Sequence, residues 1–373
     1  SVIPVPHDPS DFAKCWSMVL PRPWMVAMHG STQDPVHHAE GDVLRHTYLV
    51  CQALVTDPAY AGLSSEEQDE VYLGALLHDV AKPHTRKEEN GRVGNPGHSV
   101  KGEVDTRVIL WEMGYPFELR ERVGALVRAH QLPYFAFTEA HGERRVIRAS
   151  LNARCDLLGM LARADINGRV CPDADTALEN IALFEMMAED LGCVSKPFAF
   201  ASDHSRYEYF QKPDRDPRYA AYDTTSFEVT VMCGLPGSGK DTWLRNHAPG
   251  LPVVSLDDLR DEMDVEHGDA SGQGRVAQAA KEQAKVYLRA KTPSAWNATN
   301  LSTDVRRKVL NLLADYGARV RIVYVEAPAS RLWVQNRSRE ASVPEGAIRG
   351  MMRRWSVPDP TEAHSIVHAV GAP

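Results

Sequence analysis

A set of residues with the types needed for metal chemistry is scattered through the first half of this 373-residue chain. Its distinctive element is the adjacent pair in LLHDVAKP, and its members are His46, His78, Asp79, His98, His130 and Asp165. Imidazole and carboxylate groups together suit Mn²⁺, Fe, Co or Ni. Any one of these histidines alone is more typical of a surface or capping position. The prediction of a metal site therefore depends on the ordered set.

A phosphate-binding loop begins past the middle of the chain, in GLPGSGKDTW. It follows a predicted strand and precedes a predicted helix, a context in which backbone N–H groups can hold phosphates. The pattern expects Ser or Thr after the lysine, but Asp241 stands there, either as a contact to the magnesium shell or as a tolerated variant. We predict a site for ATP or GTP with Mg²⁺, formed by Gly234, Pro236, Gly237, Ser238, Gly239, Lys240, Asp241 and Thr242.

Further polar residues follow the later predicted strands. SLDDLR places Asp257 and Asp258 at the carboxyl end of a strand, where open α/β sheets bind ligands. Aspartate is also favoured at helix N-termini by the helix dipole, and Asp258 is the better candidate for that capping role. Asn300, which ends another predicted strand, is expected to face the same site. Arg337 and Arg339 belong either to a lid over the phosphates or to a solvated arginine-rich helix.

The elements that must position these groups differ between the two halves. Up to about residue 194, apolar residues recur at helical spacing, and Ser64 with Glu67 predicts a capping box. From residue 227, short strands rich in β-branched residues alternate with helical segments, which is typical of a parallel sheet. We predict an all-α helical bundle over 1–195, a linker or packed arm over 196–226, and an α/β domain over 227–373.

Composition limits the partners. The formal charge of −8 disfavours an extended basic face for nucleic acid, so such a contact must be local, at a chain end or in a pocket. The six cysteines form no C-x-x-C pair, which is typical of a reduced, cytoplasmic protein. No apolar run approaches the roughly 18 residues that a membrane span requires, so we expect no membrane partner. Association as a homodimer is left open.

The ordered set H…HD…H…H…D resembles the HD-domain metal phosphohydrolases over residues 30–190. The resemblance implies one or two divalent metals: a first held by His46, His78, Asp79 and Asp165, and a second added by His98 and His130, with Asp79 as the bridge. Such a centre can activate water and neutralise charge on a phosphoryl oxygen.

Two neighbours of this set are given alternatives. Lys82, three residues beyond Asp79, is either a phosphate contact or a solvated lysine at a helix end. The upstream stretch HHAEGDVLRHT resembles the opening of the HD domains found in RNA-end and tRNA-processing proteins. It brings His38 and Glu40 near the pocket, as helix caps or as hydrogen-bonding partners of the ligands.

The D-x-x-R spacing of Asp257 and Arg260 resembles the acceptor site of polynucleotide 5′-kinases. By that resemblance Asp257 accepts the proton of a 5′-hydroxyl, and Arg260 holds the adjacent nucleic-acid phosphate. The order of the later motifs follows the same family, which implies that Arg337 and Arg339 belong to a lid. The arginine spacing departs from the usual lid, so the essential arginine is not assigned.

The whole chain resembles the bacterial two-domain RNA end-healing enzymes, in which an HD phosphoesterase precedes a polynucleotide kinase. The resemblance implies hydrolysis of 2′,3′-cyclic phosphate or terminal phosphate in the first domain and NTP-dependent phosphorylation of RNA 5′-OH ends, with DNA ends left open, in the second. Two alternatives stay open. One is a phosphohydrolase and kinase for nucleotides or small metabolites, and the other is a nucleotide-sensing HD module that regulates the P-loop domain.

Overall fold

The computed structural model describes residues 2–340 and 342–371. Contacts within the chain divide it into two compact units, one up to Ala199 and one from Phe200 onward. No helix among the described residues is long and apolar enough to cross a membrane.

The first unit is helical apart from one short antiparallel hairpin. After a 3₁₀ turn, its elements are α1 (Phe12–Val19), α2 (Pro23–Val26), α3 (Val43–Thr56), α4 (Pro58–Ala61), α5 (Ser65–Leu77), α6 (Lys82–Thr85), β1 (Lys87–Glu89), β2 (Arg92–Gly94), α7 (His98–Glu112), α8 (Phe117–Ala129), α9 (Leu132–Phe135), α10 (Gly142–Ser150), α11 (Cys155–Asn167) and α12 (Ala174–Asp190).

Helix α5 lies at the centre of this unit and carries the metal-type residues at its end. It starts with the predicted capping box, in which the Ser64 hydroxyl accepts the N–H of Glu67 and the Glu67 carboxylate accepts the N–H of Ser64. Such a cap contributes about 1 kcal/mol. Val71 to Leu77 are all buried, so the helix is surrounded by neighbours rather than amphipathic. A helix apolar on all sides belongs in the middle of a bundle.

The second unit is an α/β domain. Its described elements are α13 (Asp203–Gln211), β3 (Glu228–Cys233), α14 (Lys240–His247), β4 (Val253–Ser255), α15 (Leu256–Glu262), α16 (Ala270–Arg289), β5 (Ser294–Asn297), α17 (Thr303–Asp315), β6 (Arg319–Glu326), α18 (Ala329–Arg337), α19 (Glu345–Met352) and β7 (Ser365–Val370).

The five strands form one parallel sheet in the order β4-β5-β3-β6-β7. Strand β3 is central, and its register pairs Cys233 with Tyr324 of β6. On the other side, Ser255 of β4 lies opposite Asn297 of β5. Carboxyl ends of parallel strands meet at one edge of the sheet, so the segments after β3, β4, β5 and β6 converge there. Helix α14 packs on the core through Leu244, beside Met232 and Val325.

The fold class is the predicted one, but two segments differ in detail. The stretch predicted as a linker or arm contains α13, and residues from Phe200 onward belong to the second unit. Arg206 of α13 donates to the carbonyl oxygens of Pro360 and His364, and Tyr207 stacks on His364 with ring centroids 4.0 Å apart. Ser365–Val370, for which the sequence predicted no strand, form β7 at the edge of the sheet.

Candidate functional site

Five helices bring the six predicted metal-type residues of the first unit into one buried cluster. His46 lies in α3 and Asp165 in α11, whereas His78 and Asp79 follow α5 directly. His98 opens α7, and His130 follows α8. Their relative exposures range from 0 to 8%, so all six are withdrawn from solvent. His46 is the fourth residue of α3, so all six residues lie in or next to the first or last turns of their helices.

Asp79 stands between two groups of ligand-type atoms. Its Oδ2 lies 3.2 Å from His78 Nε2 and 3.6 Å from His46 Nε2. Its Oδ1 lies 3.4 Å from His98 Nε2 and 3.8 Å from His130 Nε2. Asp79 therefore belongs to two groups of possible metal ligands, one with His46 and His78 and the other with His98 and His130. In each group the ligand atoms lie within 4.8 Å of one another. A carboxylate with one oxygen toward each group is suited to bridging two cations.

The four imidazoles are oriented with Nε2 inward and Nδ1 outward. Nδ1 lies 2.6 Å from the Ala75 carbonyl oxygen in His78, 2.9 Å from that of Asn95 in His98 and 2.7 Å from that of Val127 in His130. In His46, Nδ1 lies 2.7 Å from Glu40 Oε1. Because backbone carbonyl oxygens accept the Nδ1–H groups of His78, His98 and His130, the Nε2 atoms of these rings face the cluster, where a metal can replace any proton that they carry.

This arrangement fits a metal centre on its own geometry. The Nε2 atoms of His46 and His78 are 3.3 Å apart, and those of His98 and His130 are 3.4 Å apart. Two facing imidazole nitrogens repel each other unless a proton or a metal cation lies between them. Among the described residues, neither oxygen of the buried Asp79 accepts a well-directed hydrogen bond, although Lys82 Nζ is 2.8 Å from Oδ2. Divalent ions would satisfy all of these atoms.

The electrostatics of the cluster favour positive charge. Burial raises the pKa of Asp79, but His78 and Lys82 outweigh it and hold that pKa well below its usual range. Burial lowers the pKa of His78, yet Asp79 and Asp165 raise it to about 10. Burial and the neighbouring imidazoles lower the pKa of His130 to about 3, so this ring is neutral and able to act as a ligand. Metal binding at such a site displaces a proton.

Outer residues hold the cluster in place. Tyr134 donates its hydroxyl to Asp165 Oδ2 at 2.8 Å, and Arg169 Nη2 lies 2.7 Å from the same oxygen. This leaves Asp165 Oδ1 2.9 Å from His46 Nε2. Sequence analysis missed Tyr134 and Arg169. Arg169 stands four residues after Asp165, a helical spacing that could have indicated the pair.

A cavity of about 480 Å³ opens beside the cluster, lined by Lys82, Arg169, His98 and Gln33 among others. Lys82 is buried, with Nζ 2.7 Å from Gln33 Oε1 and 2.8 Å from Asp79 Oδ2. It is therefore not the solvated lysine of the alternative prediction. The Gln33 amide nitrogen has no hydrogen-bond partner among the described residues. No sequence signal pointed to Gln33.

The phosphate-type loop of the second unit connects β3 to α14. Gly234 has φ +156°, and a Cβ there would lie 2.3 Å from the Val325 carbonyl oxygen. Gly239 has φ +106° and opens α14. Only glycine tolerates both positions, so the loop can expose its backbone N–H groups at the helix N-terminus. A cavity of about 840 Å³ lies over it.

Lys240 folds back over the loop, its ammonium donating to the carbonyl oxygens of Gly234 and Leu235 at 3.0 and 3.1 Å. Burial lowers its pKa to about 8, against the opposing effect of Asp257 and Asp241. The buried hydroxyl of Ser238 has no hydrogen-bond partner among the described residues. The Ser238 hydroxyl is therefore available to an anionic ligand, and the Lys240 ammonium keeps one of its three protons for the same purpose.

Asp241, the departure from the loop pattern, lies in the first turn of α14. Its Oδ1 accepts a hydrogen bond from Asn297 Nδ2 at 2.7 Å, at the end of β5. Thr242 is exposed and its hydroxyl accepts a hydrogen bond from Arg245 at 3.2 Å.

Asn300, expected to face the site, is instead buried and donates to the Met232 carbonyl oxygen. That expectation is wrong, because β5 ends at Asn297 and the chain turns inward at Asn300.

Asp257 lines the same cavity, in the first turn of α15 after β4. Arg260 Nη1 donates to its Oδ1 at 2.5 Å, and Arg339 Nη2 lies 3.9 Å from Oδ2. The helix cap is Ser255, whose hydroxyl accepts the Asp258 N–H. Asp258 is thus not the N-cap, but it lies in the first turn of α15, where the helix dipole favours a carboxylate.

The two predicted lid arginines occupy different environments. Arg339 is partly buried and lines the cavity, whereas Arg337 is exposed and is not among the described lining residues. Arg331, in the first turn of α18, also lines the cavity and was missed in the sequence.

Comparisons with known proteins match each unit to a family. A model described as HD domain matches residues 43–165, and a model described as AAA domain matches residues 229–358. The first unit therefore contains a segment similar to an HD domain, and the phosphate-type loop of the second unit lies in a segment similar to an AAA domain.

Individual relatives match parts of the chain. The CC-adding tRNA nucleotidyltransferase of Thermus thermophilus is 40% identical over 140 residues, which are 36% of this chain and 29% of that protein. The chain thus spans less than a third of this relative. A putative kinase from Chloroflexus aurantiacus and a sugar kinase from Janibacter are each 17% identical over 39% of this chain and 86% of theirs, with TM-scores of 0.33 and 0.31.

Proposed function

We propose that this protein heals RNA ends: its HD domain hydrolyses 2′,3′-cyclic or terminal 2′/3′-phosphates, and its P-loop domain phosphorylates 5′-OH ends at the expense of ATP or GTP. The observation that carries the proposal is the presence in one chain of a buried His/Asp cluster and a phosphate loop whose cavity also contains the carboxylate of Asp257. RNA cleavage leaves a phosphate on one end, on which the first site can act, and a 5′-OH on the other end, on which the second site can act.

In the HD domain, the six clustered residues would hold one or two divalent ions such as Mn²⁺, Fe, Co or Ni. Such ions, when bound, supply an activated water and neutralise charge on the phosphoryl group. The chain's own donors do the positioning. Lys82 and the unpartnered Gln33 amide line the adjoining cavity and can donate to phosphoryl oxygens there. Arg169 keeps Asp165 oriented toward His46 through the 2.7 Å contact.

In the kinase-like domain, the γ-phosphoryl group passes from the NTP to the 5′-oxygen of the polynucleotide. The bond between the γ-phosphorus and the β–γ bridging oxygen breaks, a bond to the 5′-oxygen forms, and the 5′-OH proton goes to Asp257 as general base. Lys240 and Arg339 neutralise the transferred group, and Mg²⁺ supplies further neutralisation. Arg260 holds Asp257 and the neighbouring nucleic-acid phosphate.

The formal charge of −8 limits a polynucleotide substrate to contact at its terminus. Because such a contact involves few phosphates, the salt dependence of binding should be shallow. A polynucleotide substrate is supported by the matching relative from Thermus thermophilus, which by its name adds CC to tRNA.

The proposal is tested by incubating the protein with γ-labelled ATP and Mg²⁺, together with either a 5′-OH oligoribonucleotide or a panel of nucleosides. We expect the oligonucleotide to become labelled, and we expect phosphatase to release that label. Transfer of label only to nucleosides would refute the RNA-repair proposal in favour of a small-molecule kinase.

A further inference from the structure

Asp241 and Asn297 form a contact that joins the phosphate loop to the neighbouring strand of the sheet. Asp241 occupies the loop position at which the pattern expects a hydroxyl residue, and Asn297 is the last residue of β5. The Asn297 amide donates to Asp241 Oδ1 at 2.7 Å, while the structure records no partner for Oδ2 among the described residues. The carboxylate is exposed and lines the nucleotide-sized cavity.

In P-loop NTPases, Mg²⁺ is held by the Ser or Thr of the loop and by an aspartate outside it. That arrangement combines one hydroxyl and one carboxylate. Here the residue that contacts position 241 from outside the loop is an amide, and the loop itself supplies the carboxylate. The number of negative charges in the pair is therefore unchanged, but the charge has moved from one member to the other.

The other carboxylates of the cavity are already engaged. Asp257 accepts a hydrogen bond from Arg260 at 2.5 Å, and Glu326 accepts one from the Tyr324 hydroxyl at 2.6 Å. Asp241 lies next to Lys240 in sequence and is held by a neutral amide. Of the three described carboxylates lining this cavity, Asp257 is paired with a charged arginine and Glu326 is buried, whereas Asp241 is exposed and accepts a hydrogen bond from a neutral amide.

We propose that Asp241 and Asn297 are an exchanged magnesium pair, in which Asp241 provides the carboxylate for the nucleotide-bound Mg²⁺ and Asn297 orients it. This inference rests on the nucleotide site of the proposed function, but it does not depend on the identity of the phosphate acceptor. A neutral partner at 297 is required because a second carboxylate 2.7 Å from the first would repel it.

The proposal is tested with variants that return a hydroxyl to position 241 and place a carboxylate at position 297. The affinity of each variant for ATP is measured by titration calorimetry in the presence of Mg²⁺ and in the presence of EDTA. The variants are Asp241→Ser, Asn297→Asp and the double variant, with Asp304→Asn on the exposed face of α17 as a matched control for loss of an aspartate. Thermal unfolding of each variant shows whether it is folded. Nucleotide binding needs no polynucleotide, so this measurement is separate from the test of RNA phosphorylation.

We expect Mg²⁺ to tighten ATP binding by the wild-type protein and by Asp304→Asn. In Asp241→Ser, the factor by which Mg²⁺ increases the affinity for ATP should be at least tenfold smaller than in the wild-type protein. Asn297→Asp should weaken binding in EDTA because two carboxylates then face each other. The double variant should regain most of the tightening. Full Mg²⁺ dependence in Asp241→Ser, a double variant no better than Asp241→Ser, or absence of ATP binding by the wild-type protein would each overturn the inference.

Discussion

Glu40 offers a sharp test of the metal cluster because it touches the ligands without being one of the six. Its side chain is 1% exposed and receives three contacts. Oε1 lies 2.7 Å from His46 Nδ1 and 2.9 Å from His38 Nδ1, and Oε2 accepts the Val170 N–H at 3.0 Å. Burial raises the pKa of Glu40, but the hydrogen bonds from His38 and His46 outweigh it and lower that pKa strongly. The group is therefore a buried carboxylate that fixes the His46 ring.

The substitution Glu40→Gln keeps the shape but removes the charge. A carboxamide has one acceptor oxygen, so its NH₂ group must face either the Val170 N–H or the imidazoles, and one charge-assisted hydrogen bond is lost. Such a bond is worth about 1.5–3 kcal/mol, which corresponds to a loss of roughly 10- to 100-fold in metal affinity. The expected loss agrees with the usual effect of removing a carboxylate that supports a ligating histidine.

The assay is a titration with Mn²⁺, followed by electron paramagnetic resonance of the free ion, on wild type and Glu40→Gln. Glu139→Gln is the matched control, since Glu139 is exposed and pairs with Arg145. Circular dichroism monitors folding. Equal Mn²⁺ affinity in wild type and a folded Glu40→Gln would refute the claim that this carboxylate supports a metal ligand.

Three further predictions concern the independence of the sites, the lid and the pH range. Lys240→Ala should lower kinase activity at least about 100-fold with phosphoesterase activity intact, and Asp79→Ala should do the reverse; loss of both activities in either variant would contradict separate sites. Arg339→Ala should lower the kinase rate far more than Arg337→Ala, and equal effects would exclude the cavity-lining arginine as the lid residue. Burial, Arg319 and His204 lower the pKa of His364 to about 4, below its unfolded value, so the folded state resists a proton that the unfolded chain accepts. Stability should be full above about pH 6.5 and fall by up to about 3 kcal/mol as the pH drops to 4, as measured by urea unfolding; a slope unchanged in His364→Gln would contradict this.

The order of chemical groups along the chain predicted much of both sites. The ordered histidines and aspartates and the glycine loop are local in sequence or recur in a fixed order, so their convergence could be expected before the fold was known. The alternation of strands and helices after residue 227 was equally informative, because β-branched runs between helices are typical of a parallel sheet. The helical bundle and the α/β class were both predicted correctly.

Contacts between distant segments could not be predicted in the same way. Asn297 and Asp241 are 56 residues apart and meet only because β5 pairs with β3 in the sheet. Gln33 reaches Lys82 across 49 residues from a segment with no regular pattern. Strand β7 was missed because Ser365–Val370 is only partly buried and lacks a strong alternation. These features depend on tertiary pairing, which single-sequence periodicity does not encode.

The central claim is that one chain modifies both ends of broken RNA. The most direct measurement is mass spectrometry of the two ends of one oligoribonucleotide, which carries a 5′-OH and a 2′,3′-cyclic phosphate, after incubation with the protein, ATP, Mg²⁺ and Mn²⁺. We predict a gained phosphoryl group at the 5′ end and an opened or removed phosphate at the other end. Unchanged ends, in a preparation that hydrolyses free nucleotides or phosphorylates nucleosides, would contradict the account.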